Sequence, residues 1–253
     1  MNRSSLERLL GLARSMWIYR RPGRLRGLLR LYRPLVPDRA LVFDIGAHLG
    51  DRTRAFRRLG ARVVAVEPQP AMMQWLERFH GQDAGVVLVN AAVGAKPGRA
   101  RLALSPGHPS VATINHEWRE RISRDHPGFA NVRWDDHIDV TVTTLDDLID
   151  EHGRPDFCKI DVEGHESKVL AGLSQPVDRV SVEFVQSTLD ATILCIDRLE
   201  GLDRYVYNAV AGEQRRMRWP DWRDAEAASA WLAAGADGLA SGDIYARRAT
   251  LNA

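Results

Sequence analysis

The stretch Val42–Phe43–Asp44–Ile45–Gly46–Ala47–His48–Leu49–Gly50 decides how this chain is read. Residues 41–45 form a short apolar run interrupted by one acid, the pattern of a buried strand that ends in a polar turn. Gly46 and Gly50 bracket a tight loop, and a helix is expected over residues 51–59. Strand, glycine turn and helix together offer unsatisfied backbone N–H donors and a partial positive charge to a ligand. Glycine serves where a ligand presses on the backbone or where φ must be positive.

The next expected strand, residues 62–66, ends in Glu67–Pro68. An acid about twenty residues beyond a glycine turn, at the tip of the second strand, is positioned to hydrogen-bond both hydroxyls of a ribose. The two features point to a nucleoside cofactor on an α/β sheet. The dinucleotide pattern G-x-G-x-x-G is not met, because His48 stands where the second glycine would let backbone approach a pyrophosphate. D-x-G-x-x-x-G suits a cofactor without pyrophosphate. S-adenosylmethionine fits, with its adenosine, sulfonium and amino-acid tail.

At 253 residues and 45% hydrophobic content, one globular domain with a small appendage is expected. A net charge of +2 makes no global case for nucleic acid as a partner. Lysine occurs only at Lys96, Lys159 and Lys168; the preference for arginine is read as genome composition. Cys158 and Cys195 lack metal-ligand spacing and read as buried thiols in a reducing compartment. With no long apolar run and no signal-peptide core, a cytoplasmic location is expected.

Residues 1–38 differ from the rest. Leu6, Leu9, Leu10, Ala13, Met16 and Trp17 recur at helical spacing, and Ser4-x-x-Glu7 reads as a capping box. Pro22 opens a second expected helix with Leu25, Leu28, Leu29 and Tyr32 on one face. The arm is rich in arginine. It reads either as a basic amphipathic arm touching an anionic membrane surface or lipid-linked substrate, or as a helical cover with a solvated arginine face. The cover is preferred.

Residues 39–253 then alternate strand and helix. Residues 70–79 read as a helix burying Met72, Met73, Leu76 and Phe79. Further strands are expected at 86–89, 99–104, 138–142, 157–161, 180–185, 205–210 and 243–247. Residues 105–136 break the rhythm with Pro106, Pro109, Pro127, Trp118 and Trp134. Such an excursion inside a compact domain usually carries function, here an acceptor side or lid. The expected architecture is a seven-stranded, doubly wound α/β sheet with an N-terminal helical arm. Trp219 and Trp222, beside Arg215, Arg216 and Arg218, read as packing with cation–π contacts rather than as a sugar platform.

A second constellation, Lys159–Ile160–Asp161–Val162–Glu163–Gly164–His165–Glu166, falls at another strand end. Acids and a histidine beside a cofactor cleft are candidates for positioning and deprotonating a substrate hydroxyl. Glu166 reads equally well as a carboxylate favoured by a helix N-terminus.

Lys159-x-Asp161–Val162–Glu163–Gly164-x-Glu166-x-x-Val169–Leu170-x-Gly172 resembles the hallmark of the FkbM-type methyltransferase family. So do the opening stretch, Val66–Glu67–Pro68, Asn90–Ala91–Ala92–Val93–Gly94 and Val142–Thr143–Thr144–Leu145–Asp146–Asp147–Leu148. The resemblance spans residues 41–184, with a weaker echo at Gly242–Asp243–Ile244–Tyr245–Ala246. It implies a class I, Rossmann-like methyltransferase fold, S-adenosylmethionine as donor, and O-methylation of a sugar, glycolipid or other small hydroxylated acceptor.

On that reading Asp44, Gly46, Ala47, His48, Gly50 and Thr53 surround the methionine end. Glu67 and Pro68 take the ribose, Asn90 and Ala91 the adenine edge, and Asp161 borders the cofactor. His165 or Asp161 is the expected base, with Glu163 orienting the acceptor and Glu183 a further candidate. Magnesium held by Asp161, Glu163 and Glu183 is chemically compatible but is not expected. Two other classes compete: a nicotinamide-dependent oxidoreductase, and a non-catalytic nucleoside-binding scaffold on the same fold. The acceptor, the position methylated and the oligomeric state are not readable.

Overall fold

The computed structural model describes residues 21, 23–105, 107–108, 111–125, 129 and 132–251. Its strands, in chain order, are β1 (Leu41–Ile45), β2 (Arg62–Val66), β3 (Val86–Val89), β4 (Ala92–Val93), β5 (Gly98–Leu104), β6 (Asp136–Thr143), β7 (Phe157–Ile160), β8 (Arg179–Val185), β9 (Tyr205–Ala211) and β10 (Ser241–Arg248). Seven of them form one sheet in the order β3-β2-β1-β7-β8-β10-β9. Pairing is parallel from β3 to β8, while β10 runs antiparallel to both β8 and β9. This is the class I methyltransferase sheet that the family resemblance implies. The strands expected at 99–104 and 138–142 lie instead in a second, three-stranded sheet ordered β4-β6-β5. Both alternate as strands do, and periodicity does not say which sheet receives a strand.

The helices are α1 (Arg24–Tyr32), α2 (Asp51–Arg58), α3 (Pro70–His80), α4 (His116–Asp125), α5 (Leu145–His152), α6 (Glu166–Ala171), α7 (Leu189–Glu200) and α8 (Ala225–Ala233). β1 is buried on both faces, which explains its nearly unbroken apolar run. One face of the sheet packs against α1–α3, where Tyr32 meets Phe56 at 4.6 Å and Phe157 lies 6.5 Å from Tyr245. The other face packs against α5–α8 through residues such as Val169, Ile196 and Trp231. Cys158 and Cys195 are free and buried there, as expected.

α1 buries Arg24, Leu28, Leu31 and Tyr32, a face rotated from the expected one because Arg24 turns inward to pair with acids. The earlier arm helix lies outside the described residues. In α3 His80 takes the buried place expected of Phe79, which stays half-buried beside Trp75. α4 was hidden within the expected irregular excursion, since it buries only Trp118 and Ile122. α5 carries a full capping box, Thr144 with Asp147. Trp219 packs edge-on to Trp231 at 5.0 Å under Arg223, as the packing reading holds. Among the described residues no helix is long and apolar enough to cross a membrane.

Candidate active site

Strand order reverses at β1, whose neighbours β2 and β7 lead to opposite edges of the sheet. The carboxyl ends of strands at such a switch point leave a crevice. Here it is a cleft of about 1070 Å³, solvent at its mouth included.

Gly46 has φ +79°, and a Cβ on it would stand 1.8 Å from the Asp161 backbone oxygen. Only glycine lets the β1 and β7 ends meet this closely. The loop does not, however, present its donors as the sequence suggests. Gly46 and Ala47 N–H groups both donate to the Val66 carbonyl, at 2.9 and 3.0 Å, and Gly50 N–H donates to the Ala47 carbonyl at 2.8 Å. His48 N–H donates to Glu67 Oε2 at 2.9 Å. Four of the loop's donors are thus spent within the protein, three of them on the tip of β2.

Asp44 and Thr53 lie beneath the loop, fully buried, with Thr53 Oγ1 donating to Asp44 Oδ2 at 2.6 Å. Burial pushes the Asp44 carboxyl up. Gly50 packs against His80 of α3. These three residues shape the loop from behind, whereas Gly46, Ala47 and His48 are on the cleft wall. Burial lowers His48 to about 4, so its ring is neutral near pH 7.

At the β2 end Glu67 is 3% exposed and receives the N–H groups of His48 and Gln69, each at 2.9 Å. Burial raises it to about 7, against the lowering effect of those hydrogen bonds. The Gln69 side chain also bonds Glu67, and of the about four acceptor positions of a carboxylate one is left for a ribose hydroxyl. Pro68 continues the wall. Asn90 is exposed and does not line the cleft; its Nδ2 donates to the Glu67 and Pro68 carbonyls at 2.8 and 3.3 Å, fixing that turn. Ala91 is the wall residue beside it.

At the β7 and β8 ends, Asp161, Glu163 and Glu183 bring carboxylate oxygens within 4.8 Å of one another. Asp161 Oδ2 accepts from Lys159 Nζ at 2.6 Å. Burial alone would raise Asp161, but Lys159 and Arg52 hold it below the usual carboxylate range. Glu163 and Glu183 move the opposite way, raised by burial and then by the Asp161 charge. Three carboxylates this close do not all ionise, so Asp161 keeps the charge and the glutamates hold protons more tightly. The spacing also resembles a divalent-ion ligand set, yet Lys159 and Arg52 already balance Asp161.

Glu163 has φ +55° and Gly164 φ +86°. A non-glycine residue in the left-handed region is strained, and such strain concentrates at functional sites. The excursion holds this turn: Thr113 Oγ1 donates to the Glu163 carbonyl at 2.8 Å and Asn115 Nδ2 to the Gly164 carbonyl at 2.5 Å. Trp118 lies so close to Gly164 that a Cβ there would be 2.1 Å from its ring. His165 also lines the cleft, its Nδ1 buried without a hydrogen-bond partner. Burial and Lys168 lower it to about 4. Glu166 turns away, accepting Val162 and Gly164 N–H at 3.0 and 3.2 Å, the helix-terminus role.

Sequence reasoning passed over Arg52 and Glu213, which both line the cleft. Arg52 follows Gly50 by two residues and was findable as a cation on the first turn of α2. Glu213 sits in the turn after β9 and carries no local signal.

Residues 44–198 match the methyltransferase FkbM domain, and the chain belongs to that family. It is therefore an S-adenosylmethionine-dependent methyltransferase. Methyltransferase 1 of Beauveria bassiana is 28% identical over 74% of this chain and 77% of its own length. Methyltransferase sdnD of Sordaria araneosa is 25% identical over 55% and 62%. Among solved structures, a TehB-like S-adenosylmethionine-dependent methyltransferase from Corynebacterium glutamicum covers 88% of this chain and 87% of its own at 11% identity, with a TM-score of 0.44. The cleft suits the cofactor on its own chemistry. Asp51, Glu67, Asp161, Glu163, Glu183 and Glu213 line it with Arg52, a polar wall whose acceptors suit the hydroxyls and ammonium of the cofactor.

Proposed function

We propose that the protein methylates a hydroxyl oxygen of a small hydroxylated acceptor, a sugar, glycolipid or comparable metabolite. The observation that carries this reading is the carboxylate cluster of Asp161, Glu163 and Glu183 across the cleft from Glu67. When bound, S-adenosylmethionine supplies an electrophilic methyl group on sulfur. Glu67 orients the ribose through its remaining acceptor position, and Ala91 flanks the adenine. The acceptor hydroxyl hydrogen-bonds to Glu183 or Glu163, which fixes its oxygen in line with the methyl group.

The O–C bond forms as the methyl–sulfur bond of the cofactor breaks and S-adenosylhomocysteine leaves. The hydroxyl proton passes to Glu163 or Glu183 once that group is ionised above its raised range. A carboxylate of raised proton affinity is the better acceptor, and such transfer contributes about 10²–10⁴ in rate. Asp161 is the weaker base because Lys159 holds it ionised. It instead supplies the negative charge that keeps the glutamates basic. His165, largely buried and neutral, is left a role in contacting the acceptor.

The test is turnover of a panel of polyols, glycosides and lipid-linked sugars with S-adenosylmethionine labelled with carbon-13 at the methyl. A methoxy carbon in the product, lost with Glu183→Gln, supports the reading. Label on nitrogen or carbon contradicts it.

A further inference from the structure

Arg52 is the one arginine or lysine among the described residues that line the cleft. Its side chain is 19% exposed, and its nearest ion pair, to Asp51 Oδ2, is long at 3.8 Å. Its Nε is buried with no hydrogen-bond partner.

The acids around it are engaged elsewhere. Asp51 Oδ2 accepts from Arg24 Nε at 2.5 Å. Glu213 accepts from Arg24 at 3.1 and 3.3 Å and from Arg215 at 3.0 Å. Asp161 is taken by Lys159. Asp243 is the remaining neighbour, with burial raising it to about 6 against the pull of Lys159 and Arg52. The Arg52 guanidinium thus acts on Asp161 only through its charge, while two other arginines and a lysine take the hydrogen bonds of the nearby carboxylates.

The cofactor's amino-acid tail ends in a carboxylate that needs donors once out of water. The glycine loop is the usual source, but the N–H groups of Gly46, Ala47, His48 and Gly50 are already spent within the protein. We propose that Arg52 anchors the α-carboxylate of the cofactor's tail, through the paired donors of its planar fork. The inference rests on S-adenosylmethionine being the cofactor. It makes Arg24, on α1, a positioning residue that holds Asp51 and Glu213 off the anchor.

The experiment compares two ligands that differ by the tail: S-adenosylhomocysteine, which has it, and 5′-methylthioadenosine, which lacks it. Both are titrated calorimetrically into wild type, Arg52→Gln and Arg52→Lys. Charge-assisted hydrogen bonds of this kind are worth about ten- to a hundredfold in affinity. Arg52→Gln is expected to weaken S-adenosylhomocysteine by that factor while 5′-methylthioadenosine binds as to wild type, with partial recovery in Arg52→Lys. The unchanged second ligand also reports an intact fold. Equal weakening of both ligands, or of neither, overturns the anchor. Failure of wild type to bind either ligand overturns the cofactor assignment itself, and the anchor with it.

Discussion

The two ends of the cleft are built differently. The β1–β2 end is made largely of backbone: a glycine in the left-handed region, loop amides donating to Val66, and Glu67 held by two N–H groups. The β7–β8 end is made of side chains, with three carboxylates balanced by Lys159 and Arg52 and a strained turn held by Thr113 and Asn115. Backbone geometry is set before any ligand arrives. Charge balance is set by neighbours, and each substitution among them redistributes protons. One end is suited to a fixed cofactor, and the other, on the proposed reading, to the acceptor.

The sharpest break in that contrast is Gly46→Ala. Its Cβ would sit 1.8 Å from the Asp161 oxygen, and φ +79° disfavours any side chain. The expected loss is about 4 kcal/mol or more of stability, together with cofactor binding. Urea unfolding read by circular dichroism checks it, and a wild-type midpoint would mean the two strand ends need not touch.

The same substitution logic does not apply at the other end. Glu183→Gln is expected to lower kcat by about 10²–10³ while the protein stays folded. Since Glu163 and Glu183 are raised by burial and by Asp161, wild-type activity should rise with pH through a limb above the ordinary carboxylate range. Removing one ionisable neighbour moves the limb of the other downward. A pH–rate profile unaltered by Glu183→Gln would remove the cluster from the mechanism.

The contrast also explains what the sequence revealed. Strand–glycine–helix and the acid at the β2 tip are local in sequence, and the apolar runs of β1, β2 and β7 mark them as buried strands without giving their order. Asn90 and Thr53 were placed near the cofactor by motif position, yet each works one layer back, on the Glu67 turn and on Asp44. Motif spacing shows which residues travel together but not which face the cleft. The pairing of Arg24 with Glu213 joins residues 189 apart in sequence, and no local pattern predicts it. α4 was hidden for a similar reason, since its buried stripe is only Trp118 and Ile122, packed against the distant Gly164 turn and Val185.

Smaller effects sharpen the backbone side. Thr53→Val removes the buried hydrogen bond to Asp44, whose Oδ1 already has no partner. It should cost about 2–3 kcal/mol in denaturant unfolding, and less than about 0.5 kcal/mol would show water reaching Asp44. The last is a pH effect of similar size. Burial raises Glu67 from 4.5 to about 7, so across that window the folded state keeps a proton that the unfolded chain has released. Stability therefore falls as pH rises from about 4.5 to 7, by up to about 3 kcal/mol from this residue. Glu67→Gln should flatten that part of the pH–stability curve, and an equally steep curve would assign the effect to other buried acids.

The most direct measurement is calorimetric titration of S-adenosylhomocysteine into wild type, Glu67→Ala and Glu183→Gln under one set of conditions. Separate ends predict that Glu67→Ala weakens binding by about tenfold or more, while Glu183→Gln stays within about threefold of wild type. Equal losses in both variants, or full binding by Glu67→Ala, would contradict a cleft divided into a cofactor end and an acceptor end.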